Sequence, residues 1–396
     1  MTSNGRRVVL YIDSLKLGGA ERVTLTWAQW LQSAGWQPLL LTRKPRSWDF
    51  YPIPAGVIRV VEPADAAWMQ TLGALAFPFR IRRLRHWLQR ERVDLAIGIT
   101  SLPAIKLLFA CRGLGVPCVV SERNYPPLKR IGPIWSALRQ LSYPWAALHL
   151  VQTRAVGQWL TQQLRARRQL LLPNPVQWPL PAFHPQLDPE PWLAAAGVRS
   201  DDPVLLAVGT KAEQKGFDRL VRWFGELAPR HPRLQLVIVG LDEQPYHGRD
   251  QQADLLAGLQ AQPELQFRLH FPGRVGNLAA WYARAQVFVL SSRYEGFPNV
   301  LLEAMAAGCC CVAADCPQGP ADLLDNGVNG VLMPLETEDQ TWVEQLDHLL
   351  RERASRVRFG AAATGVRERY APTRLRRSLM EALEPLLANR WDRGGG

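Results

Sequence analysis

The chain has 396 residues, 47% hydrophobic and 21% charged, an ordinary globular composition that excludes fibrous, collagen-like and disordered classes. Its formal charge of +12 is uneven: residues 1–175 hold 24 basic and 8 acidic residues, net +16, and residues 176–396 hold 23 and 27, net −4. A basic half beside a slightly acidic one implies a division of labour, with the basic half meeting something anionic: nucleic acid, a membrane surface or a phosphorylated acceptor.

Val8–Ile12 is a short apolar run that stops at Asp13. It is too short for a signal-peptide core, and no uncharged stretch reaches the about 18–20 apolar residues of a membrane span. The expected location is cytoplasmic. Helical periodicity follows over 19–34, and further apolar runs come at 38–41, 57–61, 94–99, 116–120 and 148–151. Strands alternating with helices read as βαβ units. Residues 172–192 hold seven prolines, which predicts an extended linker and a domain boundary near residue 176. Beyond it, runs at 204–208, 234–239, 269–271, 287–290, 310–313 and 330–333 repeat the style. Apolar runs without alternation are those of parallel strands buried on both faces. A helix is predicted over 372–387. Cys309, Cys310, Cys311 and Cys316 read as small buried apolar residues in a reducing compartment, being poorly spaced for zinc. The expectation is an α/β chain: domain 1–175, linker 176–192, domain 193–370 and a helix over 371–396 crossing back to the first domain. The ligand site is expected in the cleft at the carboxyl ends of the two sheets.

Three stretches could carry chemistry. In Ser292-Arg293-Tyr294-Glu295-Gly296-Phe297-Pro298-Asn299-Val300-Leu301-Leu302-Glu303, a strand ends and Pro298 opens a helix. Free amides at Asn299, Val300 and Leu301 suit a phosphate, and Glu295 and Glu303 suit sugar hydroxyls. The same spacing also fits a dipole-stabilising Glu295 and a solvated Glu303. In Val208-Gly209-Thr210-Lys211-Ala212-Glu213-Gln214-Lys215-Gly216, Lys215 suits a phosphate, or is a solvated loop lysine. Gly18-Gly19, opening the first helix, permits close backbone approach or makes a plain turn.

Together these stretches resemble the retaining glycosyltransferases of family 4, which have the GT-B fold of two facing Rossmann-like domains. Leu172-Pro173-Asn174-Pro175-Val176, Asp315-Cys316-Pro317-Gln318-Gly319-Pro320 and Gly327-Val328-Asn329-Gly330 extend the likeness over nearly the whole chain. Glu295 and Glu303, seven residues between them, match the family's best-known signature. The resemblance implies that Glu303 holds the ribose and Glu295 the transferred sugar. Lys215 and the backbone of Phe297, Pro298, Asn299 and Val300 meet the diphosphate, and Gly209, Thr210, Arg274 and Gly296 join them in binding the donor. Gly18 and Gly19 cover the donor from the other domain. It implies no metal, no resident cofactor and no protein nucleophile, the co-substrate being a nucleotide-sugar, UDP-linked. Thr210 departs from it: family members carry an Arg there.

Glu122, Arg123 and Asn124 follow a strand and resemble the acceptor side of the branch that builds bacterial polysaccharides and lipid-linked oligosaccharides. Arg123 joins Glu295 and Lys215 as a candidate catalytic residue; many relatives carry His there, and an Arg suits an anion better than proton transfer. A loop salt bridge between Glu122 and Arg123 is the equal alternative. In residues 77–90, Ile81, Leu84 and Leu88 share a helical face with Trp87 beside them and Arg82, Arg83 and Arg85 around it. Such a basic amphipathic helix suits an anionic membrane surface, as do Lys129, Arg130, Trp135, Arg139 and Trp145, or it packs its stripe on the domain. No recognition motif for nucleic acid accompanies the charge. The expected activity is sugar transfer to a glycan or polyprenyl-diphosphate-linked acceptor. A non-catalytic sugar-nucleotide or glycan-binding paralogue and a sugar-nucleotide epimerase are the alternatives.

Overall fold

Val8, Leu10 and Ile12 are buried on one face of the first strand, and Val9 and Tyr11 on the other. In the second half, Leu205 and Ala207 oppose Val204, Leu206 and Val208 in the same way. A strand covered on both faces reads as an unbroken apolar run, and the chain builds two such sheets. The computed structural model describes residues 5–16, 18–123, 125–127, 131–242 and 248–391.

The first sheet comprises β1 (Arg7–Ile12), β2 (Gln37–Thr42), β3 (Ile58–Val61), β4 (Leu95–Ile99), β5 (Cys118–Glu122), β6 (Leu148–Val151) and β7 (Gln169–Leu171). Its order is β3-β2-β1-β4-β5-β6-β7, every pair parallel. The second comprises β8 (Val204–Val208), β9 (Gln235–Val239), β10 (Leu269–His270), β11 (Val287–Leu290), β12 (Cys311–Asp315) and β13 (Val331–Pro334), in the order β10-β9-β8-β11-β12-β13, again all parallel. Helices cover both faces. In the second unit Trp223 and Trp342 stack at 4.3 Å and 9° between the helices Phe217–Leu227 and Asp339–Arg351. All six cysteines are buried free thiols.

The chain divides into two compact units: one holds the chain up to Asn174 together with residues from Thr373 onward, the other Pro175–Pro372. The helix Pro372–Trp391 lays Leu375, Leu379, Leu383 and Leu387 on the core around Val8 and Leu10, so it completes the first unit. The i, i+4 spacing of those leucines gives the helix its apolar stripe.

One expectation is corrected, and one pair of alternatives is decided. Residues 176–192 are not extended throughout: a helix, Pro189–Ala195, begins among the prolines. Asp188 caps it, its carboxylate accepting from the Glu190 amide at 3.1 Å, and proline is well placed in a first turn. The preceding stretch is bound to the second unit, with Phe183 N–H donating to Gly276 O (3.0 Å) and Gly276 N–H to Pro185 O (2.6 Å). In the helix Phe77–Arg90, Leu84 and Leu88 are buried, and Ile81 and Trp87 pack on the same core. That stripe therefore faces the domain interior. Arg83 pairs with Asp65 (3.0 Å), and Arg85 donates to the Ala110 carbonyl (3.2 Å). Arg82, His86 and Arg90 stay exposed. Lys129 and Arg130 lie outside the described residues. Among the described residues no helix is long and apolar enough to cross a membrane.

Candidate active site

In the second sheet the chain passes from β8 outward to β9 on one side and from β11 outward to β12 on the other. The loops leaving β8 and β11 therefore diverge, opening a crevice at their carboxyl ends, where open α/β sheets take ligands. The β8 loop carries Gly209, Thr210 and the short helix Ala212–Lys215; the β11 loop carries Ser291 to Pro298.

These loops bring Lys215 and Glu295 together. The Lys215 ammonium lies 2.7 Å from Glu295 Oε1, with the side chains 15% and 6% exposed. Ser292, wholly buried, donates its hydroxyl to the same oxygen at 2.6 Å. Glycine is needed twice to seat the lysine. A Cβ on Gly209 would stand 2.7 Å from Lys215 Cγ, so the lysine stem runs over bare backbone. Gly216 ends the short helix at φ +63°, and a Cβ there would sit 2.1 Å from the Ser291 carbonyl.

The loops are also clamped directly. Arg293 N–H donates to Gln214 O (2.9 Å), Ser291 Oγ to Lys215 O (2.8 Å) and Arg219 Nη2 to Ser291 O (2.5 Å). Arg293 forks onto Asp218 at 2.7 and 2.6 Å. Burial pushes the Asp218 carboxyl up, but the Arg293 hydrogen bond and charge outweigh it and leave it below the usual range. Burial raises the Cys316 thiol to about 12; the Glu295 charge adds to this and Lys215 opposes it. Ser292 and Cys316 stand inside stretches read from sequence and Asp218 lies just past one; Ser292 meets Glu295 three residues on, while Asp218 meets Arg293 across 75 positions, which local spacing does not reveal.

Asn299–Ala306 forms the helix, with Pro298 as its cap. Asn299 N–H donates to Phe297 O (2.9 Å) and Leu301 N–H to Pro298 O (3.0 Å), which corrects the expectation that the amides of Asn299, Val300 and Leu301 are all free. The Phe297 side chain packs in the core. Gly319, at φ +98°, permits close contact there: a Cβ would be 2.3 Å from Pro298 Cδ. Glu303 is half-buried in that helix, and Thr210 is exposed. Arg274 is held by Asp242 in the loop after β9. Among the described residues no three His, Cys, Asp or Glu side chains group as metal ligands do.

In the first unit the switch lies between β1 and β4. Gly18, which precedes the helix Gly19–Ser33, is extended, and a Cβ would meet the Glu21 carboxylate at 2.2 Å. Thr100, just past β4, holds φ +68°, and its amide donates to Ser121 O at 2.9 Å. Glu122 is buried and accepts from Ser101 Oγ (3.2 and 3.1 Å) and Tyr143 OH (2.8 Å). Arg123 is buried, donates to Asn174 Oδ1, and lies over Trp27 with Cζ 5.2 Å from the ring centre. Asn124 lies outside the described residues.

A model of glycosyl transferases group 1 matches residues 189–366, and one of a glycosyl transferase 4-like domain matches residues 18–175. An uncharacterised glycosyltransferase of Haemophilus influenzae is 29% identical over 150 residues, 38% of this chain and 40% of that protein, so this chain spans under half of that relative's length. The N-acetylgalactosamine-N,N'-diacetylbacillosaminyl-diphospho-undecaprenol 4-alpha-N-acetylgalactosaminyltransferase of Campylobacter jejuni is 24% identical over 342 residues, 84% of this chain and 87% of it. The solved structure of Anabaena Alr3699/HepE in complex with UDP superposes with a TM-score of 0.81 at 18% identity, covering 96% of this chain and 100% of that one, a likeness of fold. The two models fall in order on the two sheets, and the chain belongs to the family 4-like glycosyltransferases with the GT-B fold.

Proposed function

We propose that this chain is a hexosyltransferase of bacterial surface polysaccharide assembly. It transfers a hexose or N-acetylhexosamine from a UDP-sugar, with retention of configuration, to a glycan or polyprenyl-diphosphate-linked acceptor. The observation that carries this reading is the Lys215–Glu295–Ser292 cluster at the β8/β11 switch point. Two of the similar proteins support it: the Anabaena structure is a complex with UDP, and the name of the Campylobacter enzyme contains diphospho-undecaprenol.

Lys215 has three N–H donors, and one is committed to Glu295. The other two are available to the diphosphate, so one ammonium orients the sugar-binding carboxylate and neutralises the leaving group. Glu295 accepts from hydroxyls of the transferred sugar, and Glu303 from the ribose. No protein nucleophile is assigned, and no metal is needed in this scheme. The basic first unit meets an anionic membrane surface through charges left exposed, Arg82 and Arg90 among them, rather than through the buried stripe.

The test is turnover of UDP-sugars with a lipid-linked or oligosaccharide acceptor. Wild type transfers, while Glu295→Gln and Lys215→Met lose at least a hundredfold; transfer surviving both substitutions refutes the site. A second reading, a binding protein without turnover, is favoured by Thr210, an uncharged, exposed side chain beside the proposed diphosphate site. UDP binding with no transfer to any acceptor supports it.

A further inference from the structure

Arg123 stands just past β5 and is 6% exposed. A guanidinium carries five N–H donors and cannot accept. One nitrogen, Nη2, donates to Asn174 Oδ1, and the Gln152 amide, in the orientation that satisfies its neighbours, accepts from the same nitrogen at 3.1 Å and donates to the Arg123 carbonyl at 3.0 Å. Nε and Nη1 are buried and, among the described residues, meet no acceptor. The ring beneath belongs to Trp27, itself wholly buried, and among the described residues its indole N–H also lacks an acceptor. Glu122, the chain neighbour, directs its carboxylate to Ser101 and Tyr143. Burial pulls the Arg123 pKa down to about 9.

Buried polar groups are almost always hydrogen-bonded, and a buried charge is almost always paired. Here one cation and one indole gather three nitrogens whose N–H groups meet no acceptor among the described residues, close to the carboxyl end of β4, where Thr100 holds a backbone conformation rare for its type. Strain of this kind gathers at functional sites. The missing complement is an oxyanion.

We propose that Arg123, with Trp27 and Asn174, forms a subsite for an oxyanion of the acceptor, a phosphate or carboxylate group. The acceptor of this chain therefore carries an anionic group. The cation–π face fixes the plane of the guanidinium, and Asn174 fixes its rotation, so the unused donors keep fixed directions. The anion site rests on the geometry of the first unit; its assignment to the acceptor rests on the proposed glycosyltransferase reading.

The experiment is calorimetric titration and thermal shift of the full chain with inorganic pyrophosphate, with glucuronate and with uncharged glucose, each with and without saturating UDP. The proposal expects pyrophosphate or glucuronate, but not glucose, to bind and to raise Tm, and UDP to leave that binding in place. Arg123→Gln weakens it at least tenfold, and this variant without anion melts no lower than wild type, since an unmatched buried charge has gone. Trp27→Phe, which keeps the ring and removes the N–H, weakens it severalfold and serves if Arg123→Gln does not fold. Anion binding that survives both substitutions, or no binding by either anion, overturns the site. Binding lost from Arg123→Gln but abolished by UDP gives the oxyanion to the donor and overturns the acceptor assignment. Failure of UDP to bind counts against the proposed function alone, because the anion titration without UDP still reads Arg123.

Discussion

Breaking the Lys215–Glu295 pair tests whether the site is built as described. At 2.7 Å the Coulomb attraction is about 6 kcal/mol at an effective dielectric of about 20, most of it offset by desolvation of two largely buried groups. Lys215→Met leaves the Glu295 carboxylate with the Ser292 hydroxyl and without its counter-charge. Loss of one partner from a buried pair costs about 3–5 kcal/mol. The lysine keeps 15% exposure, which lets water reach the pair, so about 3 kcal/mol is expected. Glu295→Gln should cost about as much, because the amide can offer a donor where the ammonium sits. The double variant should cost about 2–3 kcal/mol less than the two singles summed. Native-state hydrogen exchange across β8 and β11 reads the second unit by itself. Additive singles, or singles each below about 1 kcal/mol, would refute the coupling and with it the shared role of the two residues.

Three further outcomes are expected. Gly209→Ala puts a methyl 2.7 Å from Lys215 Cγ and displaces the stem. It should cost about 1–3 kcal/mol and weaken UDP binding more than it weakens the fold, measured by titration beside denaturation. Thr210→Arg adds a charge beside the proposed diphosphate site and should tighten UDP about tenfold, as one charge-assisted hydrogen bond does; an unchanged Kd moves the diphosphate off this loop. Burial lowers the His149 imidazole to about 4, although its bond to the Tyr143 carbonyl opposes this. The folded state then binds fewer protons than the unfolded one between pH 6.5 and 4. Stability present above pH 6.5 is lost as pH falls through that window, by about 3 kcal/mol in all, and His149→Gln should flatten the profile of Tm against pH there.

Parallel strands were the most legible part of the fold, because residues such as Val8–Ile12 and Val204–Val208 are buried on both faces and leave an unbroken apolar run. β7 is hard to read because it is a three-residue edge strand, partly exposed, whose run Leu170-Leu171-Leu172 is short and stops at Pro173. The helix Pro189–Ala195 was hidden by its own prolines, which break a helix anywhere but in its first turn. The stripe at Leu84 and Leu88 shows the limit of periodicity: spacing says that a face is apolar and not what covers it. In the site, the sequence marks Lys215 and Glu295 as separate candidates. Their pairing across 80 positions comes from strand order, and the need for Gly209 from the path of one side chain. The burial of Arg123 depends on Trp27 and Asn174, which no local pattern joins to it.

The return of the chain to its first unit sets an order of events during synthesis. Leu375, Leu379, Leu383 and Leu387 cover a core whose other members, Val8 and Leu10 among them, leave the ribosome first. All of Pro175–Pro372 is made in between. At about 5–20 residues per second, that face of the nascent first unit waits on the order of ten to forty seconds for its last helix. The second unit, continuous in sequence, can close its core in that interval. The first is thus begun early and finished late, and it is the unit that has to be shielded from aggregation while translation proceeds.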